Sequence, residues 1–400
     1  MSNENLLPDL RGRTILQLIP RLDLGGAEQT VLDISSAIIS AGGKALVVSE
    51  GGRLEGQLEH TGAELIKAPI ASRNPFIMRH TASWLRKLSR DRSIDILHAR
   101  SRAPAWVAWW SLGGTMRTDC PKFVTTYHGA YSARSSLKHR YNAIMARGDR
   151  VIANSSWTAQ EIRRQYGLTE PRLTTIARGT DIERYSPANV SARDVSSIRR
   201  SWLGETGSDR WVLLLPGRFR TWKGQRVAIE ALAGLPESIR SKTRLVLAGR
   251  TEKDESYSQT LRQLAHRFGL SDKVLLVAPP ENFPAALAAA DIVLSPSLRP
   301  EAFGRIAVEA GLMERPVIAA DHGGALETVR HDQTGIRVKP GDADALTDAI
   351  GTMLAAPDAK RQAMGRAARS HCQQHFALDA LKAKTLSVYS NLLKNQECNG

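Results

Sequence analysis

The 400-residue chain reads as an α/β protein built from two doubly wound domains, and three observations predict it. Short apolar runs alternate with segments whose apolar residues recur at helical spacing, the pattern of a parallel sheet with helices on both faces. The alternation loosens near Pro187 and then restarts. Each half also begins with a buried strand, a glycine-bearing turn and a helix, an arrangement that offers helix N-terminal amides to an anion.

In order, TILQLIP (14–20) is the first strand, RLDLGGAEQ the turn, and 27–41 the helix. KALVVS, AELIKAP, SIDILHAR, KFVTTYHG and DRVIANS follow as strands, with a helix over 77–90 between the third and fourth. The stretch SPANVSARDVSSIRRSWLGETGSD is a connection with one short helix. WVLLLP, RLVLAG, KVLLVA, DIVLSP, PVIAAD and TGIRVKP are the strands of the second half. Helices over 342–355, 358 to the low 370s and 377–393 close the chain. The domains expected are 1–186, a linker 187–209, and 210–375, with a last helix in 376–400.

Composition is that of a folded protein, 42% hydrophobic and 24% charged. No run approaches the roughly 18 apolar residues of a membrane span, and the N-terminus lacks an apolar leader core. A cytoplasmic protein is therefore expected. Cys120, Cys372 and Cys398 have no metal or disulfide spacing and read as free thiols. The formal charge of +15 is uneven: residues 73–150 hold 15 Lys and Arg against 4 Asp and Glu. Trp84, Trp106, Trp109 and Trp110 lie in the same stretch, a mixture suited to the headgroups of an anionic membrane or to an acidic lipid-linked acceptor. No nucleic-acid motif accompanies the charge, so nucleic acid is not the partner expected.

Two stretches carry the chemistry. In RPEAFGRIAVEAGLMERP (299–316) a loop joins the strand DIVLSP to a helix and brings Glu301 and the amides near Phe303 and Gly304 to the C-terminal edge of a sheet, where open α/β sheets bind anionic ligands. Glu309 follows eight positions later. Carboxylates beside a phosphate repel it, so these two are suited to hydroxyl donors, as a sugar and a ribose provide. In PGRFRTWKG (216–224) Arg218 and Lys223 stand at a strand end beside a helix N-terminus, two cations placed for a leaving diphosphate. The ligand these features imply is a nucleotide-diphosphate sugar. Asp342-Ala343-Asp344 opens a helix after Pro340-Gly341 and reads as a cap, not as a metal site. No GxxxxGK[ST] loop is present, and the first glycine turn lacks GxGxxG.

The Glu301-to-Glu309 spacing, PGRFRTWKG and HGGALETV together resemble the retaining glycosyltransferases of family four, which have the GT-B fold of two Rossmann-like domains. The resemblance spans nearly the whole chain. It implies that Glu301 contacts the donor hexose and Glu309 the ribose, that Arg218 and Lys223 bind the diphosphate with help from the amides at Gly25 and Gly26, and that His128 touches the donor sugar. It implies too that the last helix returns to the first domain. His98 and Arg100 resemble a subgroup acting on lipopolysaccharide core or related glycans, and Arg178, Gly179 and Asp181 parallel an NGVD-like turn, with Arg in place of Asn. The expected activity is metal-independent, retaining hexosyl transfer to a bacterial envelope glycan or glycolipid, with no cofactor and no enzymic base named. A GT-B enzyme of another reaction, such as an epimerase, and a basic membrane- or nucleic-acid-binding protein are the alternatives.

Overall fold

The structure is a computed structural model and describes residues 7–23, 25–114, 121–129, 131, 135–204, 210–250 and 255–397. Cys120 and Cys398 lie outside them. Cys372 is buried and free.

The chain divides into two compact units, Met1–Gly179 with Asp379–Gly400, and Thr180–Leu378. The first holds a seven-stranded parallel sheet: β1 (Thr14–Leu18), β2 (Lys44–Ser49), β3 (Glu64–Lys67), β4 (Ile96–Ala99), β5 (Lys122–Tyr127), β6 (Arg150–Ala153) and β7 (Leu173–Thr175). Their order is β3-β2-β1-β4-β5-β6-β7. The second holds β8 (Trp211–Pro216), β9 (Thr243–Ala248), β10 (Val274–Val277), β11 (Ile292–Ser295), β12 (Val317–Ala320) and β13 (Gly335–Val338), in the order β10-β9-β8-β11-β12-β13. Both sheets are the doubly wound type expected from the alternation. In each, strand order reverses once, between β1 and β4 and between β8 and β11. The loops that leave the strand ends there splay to opposite faces and open a crevice.

The two faces of the first sheet differ. On one, Leu16, Leu18, Leu97, Ala99 and Phe123 pack with Met78, Ala82 and Leu85 of the helix Pro75–Asp91 and with Val107, Ala108 and Trp109 of the helix Arg102–Ser111. The opposite face carries polar residues at the strand centre. Gln17 and His98 are register neighbours, and neither is exposed to solvent. Gln17 donates to the Val31 carbonyl at 3.1 Å and to Ser35 Oγ at 2.8 Å, both on the helix Gly26–Ser40. His98 Nδ1 lies 2.6 Å from the hydroxyl of Tyr389, on the last helix, Leu378–Glu397. Leu386, Tyr389, Leu392 and Leu393 of that helix are buried, so residues from 379 onward complete the core of the first unit.

The first unit ends at Gly179, seven residues before the boundary expected from sequence. The segment that follows is tied into the second unit. Thr180 pairs with the backbone of Phe376 and Leu378, and Arg369 donates to the Tyr185 carbonyl and to Ser186 Oγ, both at 3.2 Å. The expected linker contains the helix Ala192–Leu203. Its Trp202 and Leu203 are buried, and Arg199 forms a 3.0 Å pair with Asp291, so this helix is part of the second unit.

The tryptophans are placed differently from the sequence expectation. Trp109 is buried, and Trp84, Trp106 and Trp110 pack half-buried against the core. Trp106 Nε1 donates to the Tyr141 carbonyl at 3.0 Å. These rings are thus packed against the core, with Trp84, Trp106 and Trp110 only partly exposed. Among the described residues of this unit, the exposed large apolar ones are Phe76, Ile77 and Leu137, which are 82%, 41% and 76% accessible.

Candidate active site

In the second unit the residues singled out in sequence converge at the carboxyl ends of β8, β11 and β12. Trp222 and Lys223 lie in the short 3-10 turn Thr221–Lys223, and Gly224 opens the helix Gln225–Gly234 in a left-handed conformation, φ 82°. A side chain at Gly224 would place its Cβ 2.1 Å from the Pro296 carbonyl oxygen. This close approach presses the Lys223 turn against the end of β11. Lys223 Nζ is 2.9 Å from Glu301 Oε1. The ammonium also sits over the Trp222 ring, 4.7 Å from its centroid. Ser297 Oγ donates to the same carboxylate oxygen, and His322 Nε2 lies 2.7 Å from the Ser297 carbonyl.

Glu301, Gly304, Ser297 and His322 line one small pocket beside the N-terminus of the helix Arg305–Leu312. The Ala307 amide donates to the Gly304 carbonyl at 3.1 Å, and the N-terminus of the helix lends this pocket a partial positive charge. Gly304 supplies the left-handed residue before it, φ 81°. The Gly323-Gly324 turn packs directly on this loop, Gly324 donating to the Glu301 carbonyl at 2.8 Å. Phe303 is buried, edge-on to Phe376 at 5.3 Å, so its ring anchors the loop and only its backbone can face a ligand.

Glu309 is 2% exposed. Arg305, one turn earlier, donates to Glu309 Oε1 from Nε at 3.1 Å and from the terminal nitrogen at 2.5 Å. Burial and the neighbouring Glu309 carboxylate push the Tyr185 hydroxyl up from its ordinary value. Glu301 and Glu309 are therefore each matched to a cation of their own. Two carboxylates can then stand near a phosphate site without a net negative field. Arg218 follows β8 and is exposed, and its carbonyl is held by Gln225 at 3.0 Å.

The first unit has a separate group at the ends of β1, β4 and β5. Gly25 and Gly26 begin the helix Gly26–Ser40. A Cβ on Gly26 would meet the Arg178 guanidinium at 2.5 Å. His128 follows β5, with both ring nitrogens buried and without a hydrogen-bond partner among the described residues. His98 and Arg100, which in the sequence resemble a subgroup acting on lipopolysaccharide core or related glycans, lie beneath this surface, 0% and 3% exposed. They sit there because β4 is central and both side chains turn to the face covered by the helices Gly26–Ser40 and Leu378–Glu397. Asp342 accepts from the Ala345 amide at 3.0 Å, capping the helix Ala343–Ala355.

Sequence reasoning did not find Ser297, His322, Trp222, Arg305 or Tyr185. The four-residue spacing of Arg305 and Glu309 on one helix was a usable signal for that pair. Contacts such as that of His322 with Ser297 join separate strands and leave no such trace.

Two parallel, doubly wound sheets, each with a helix N-terminus and basic side chains at its switch point, define the GT-B class of glycosyltransferase fold. Residues 24–184 match Glycosyltransferase Family 4 and residues 201–371 match Glycosyl transferases group 1. Each unit thus resembles a glycosyltransferase domain.

Among curated relatives, the D-inositol 3-phosphate glycosyltransferase of Xylanimonas cellulosilytica is 32% identical over 255 residues, 63% of this chain and 59% of that protein. The Corynebacterium glutamicum protein of the same name is 31% identical over 255 residues, with the same coverage of each. The chain thus spans about three fifths of the length of these relatives. Among solved structures, a glycosyltransferase from Rickettsia africae superposes with a TM-score of 0.86 at 28% identity, covering 96% of this chain and 99% of that one. Anabaena HepE, in complex with UDP and glucose, gives 0.81 at 25% identity, covering 95% and 100%. WaaG, a glycosyltransferase involved in lipopolysaccharide biosynthesis, shares the fold at 18% identity and a TM-score of 0.73, covering 94% of this chain and 99% of that one.

Proposed function

We propose that the chain is a retaining, metal-independent hexosyltransferase that uses a nucleotide-diphosphate sugar, with an envelope glycan or glycolipid as acceptor. The observation that carries this reading is the Lys223–Glu301 pair at the switch point of the second sheet. An ammonium has three donors, so Lys223 can hold a diphosphate oxygen while remaining beside Glu301. Glu301 is then left to accept from the hexose hydroxyls, and Glu309 from the ribose. As the bond from sugar C1 to the diphosphate breaks, negative charge grows on the leaving group. Arg218, Lys223 and the amides at Phe303 and Gly304 hold that charge more strongly in the transition state than in the bound donor. His128 meets a hydroxyl of the hexose.

The structure of HepE with UDP and glucose supports a uridine nucleotide as the first donor to test. The curated relatives, named for inositol 3-phosphate, favour a second reading in which the acceptor is a small phosphorylated polyol.

A panel of nucleotide sugars, crossed with glycolipid and inositol phosphate acceptors and scored by released nucleotide, tests the reading. Turnover is expected with one hexose donor and is expected to survive prolonged chelator treatment. Loss restored by magnesium or manganese would contradict metal independence, and silence across all donors would contradict the reading itself.

We further propose that the first unit docks on anionic membrane. One face of its sheet carries the helices Pro75–Asp91 and Arg102–Ser111 and, through Ala143–Ala146, the helix Ser136–Asn142. Exposed Phe76, Ile77 and Leu137 stand there among exposed Arg79, Lys87, Lys138 and Arg140. Arg86 and Arg92 are occupied, the first by the Ser111 and Trp110 carbonyls and the second by Glu64, so reversing them would disturb the fold. Reversing Arg79, Lys87, Lys138 and Arg140 to Glu is expected to abolish sedimentation with anionic vesicles while donor hydrolysis persists. Each basic residue near such a surface contributes up to about 1 kcal/mol. Binding by the unaltered chain is expected to weaken with salt as the Debye length falls from about 10 Å at 0.1 M to about 3 Å at 1 M. Equal sedimentation of both proteins would show a merely solvated surface.

A further inference from the structure

The polar residues on the inner face of the first sheet form a continuous chain. Gln17 Oε1 accepts from Arg100 Nε at 3.2 Å and from one of its terminal nitrogens. The other terminal nitrogen of Arg100 points to Thr126 Oγ1 at 3.4 Å. Thr126 Oγ1 is 2.7 Å from His98 Nε2, and His98 Nδ1 reaches the Tyr389 hydroxyl. Arg100 is thus a buried cation whose hydrogen-bond partners among the described residues are neutral. Such a charge is costly and raises the local potential over several ångströms, because little water screens it. Two residues beyond Thr126, on the same side of the sheet, stands His128.

We propose that this seam, from Tyr389 to Gln17, is a positioning device for His128. It fixes the Arg100 cation beneath the imidazole, so that the ring offers its substrate one donor nitrogen and one acceptor nitrogen instead of two donors. A neutral imidazole has one N–H and one bare nitrogen, and an imidazolium has only donors. The two buried, unpartnered nitrogens of His128 fit a sugar hydroxyl pair that must both give and receive a hydrogen bond. Arg100 is a positioning residue here, since it acts through the field and not by contact.

Among the described residues, the groups that act on the ring are Arg178 and Arg100. Burial, then Arg178, then Arg100 hold His128 well below the usual imidazole range. His98, on β4, is itself held down by burial first, and then by Arg100 and His128. The helix Gly26–Ser40 supplies Glu28, whose carboxylate curls back over Gly25, and Asp33, which acts on Arg100. Removing the Arg100 charge therefore moves the His128 titration upward, toward the ordinary value of about 6.5.

The inference rests on the proposed contact of His128 with the hexose, and the test separates the two. Imidazole resonances of the full-length chain, with His128 assigned through His128→Gln, are followed against pH without donor. In the unaltered protein His128 is expected to stay neutral through pH 6. In Arg100→Gln, which keeps hydrogen bonding and removes the charge, its midpoint is expected to rise. In Arg100→Lys it is expected to remain near the original.

The acid limb of kcat/KM is expected to move with the resonance, and to vanish in His128→Gln, whose amide also has a donor and an acceptor. An ordinary midpoint near 6.5 in the unaltered protein overturns the proposal, and needs no variant to fold. So does an unshifted midpoint in Arg100→Gln, whatever happens to its rate. If the resonance shifts as expected but His128→Gln keeps full activity with an unchanged acid limb, the device stands and the hexose contact fails.

Discussion

Lys223→Ala is expected to lower turnover by about a hundredfold or more, roughly 2.7 kcal/mol of transition-state stabilisation, with circular dichroism unchanged. Two effects add. The diphosphate loses a donor, and Glu301, bonded to Lys223 at 2.9 Å, loses its cation and keeps only the Ser297 hydroxyl where negative charge must grow. Because the two residues act as a pair, Glu301→Gln in the Lys223→Ala background should cost less than Glu301→Gln alone. Arg218→Ala is expected to cost a similar factor. Near-original rates in both single variants would mean that the diphosphate is held elsewhere.

The second large effect is expected at Gly224. Alanine there must adopt the left-handed φ of 82°, which costs roughly 1–2 kcal/mol, and its Cβ falls 2.1 Å from the Pro296 carbonyl oxygen. Neighbouring backbone would have to move, at a further cost of about 1–3 kcal/mol. Gly224→Ala is thus expected to lower stability by about 2–5 kcal/mol in urea titration, the sum of those two ranges. The retreat of the turn would carry Lys223 away from Glu301, so turnover should fall even below the melting range. A variant with unaltered urea midpoint and rate would show that the turn does not depend on this close approach.

What sequence made legible, and what it did not, follows from the range of the interactions involved. The alternation of strands and helices is local, and the two doubly wound sheets follow from it. Glu301, Glu309, Arg218 and Lys223 stand at strand ends and helix starts, positions that sequence pattern marks. Their pairings were hidden, since Lys223 reaches Glu301 across 78 positions and His98 reaches Tyr389 across 291.

The one warning of the buried seam was Gln17, a lone amide in the apolar strand TILQL. The tryptophans misled in the opposite direction. Composition counts an indole as an interfacial residue whether it faces lipid or fills a core, and only the packing of the helix Arg102–Ser111 against β5 distinguishes the two. The +11 balance of residues 73–150 similarly does not separate Lys87, which meets solvent, from Arg86, which caps carbonyls.

The return of the last helix to the first unit bears on how the chain is made. Synthesis proceeds from the N-terminus, and domains generally fold in that order. Here residues 180–378 form a contiguous unit that can close as soon as it emerges. The first unit, begun earlier, waits for Leu386, Tyr389 and Leu393 to cover the face that holds His98 and Arg100. Until the codons for residues 379–397 are read, that face has an open flank and His98 lacks its tyrosine. A fragment ending at Gly179 would retain all seven strands of its sheet and still carry this gap. The portion translated first is thus completed last, and a stop codon in the last helix would damage the N-terminal core more than the unit that immediately precedes it.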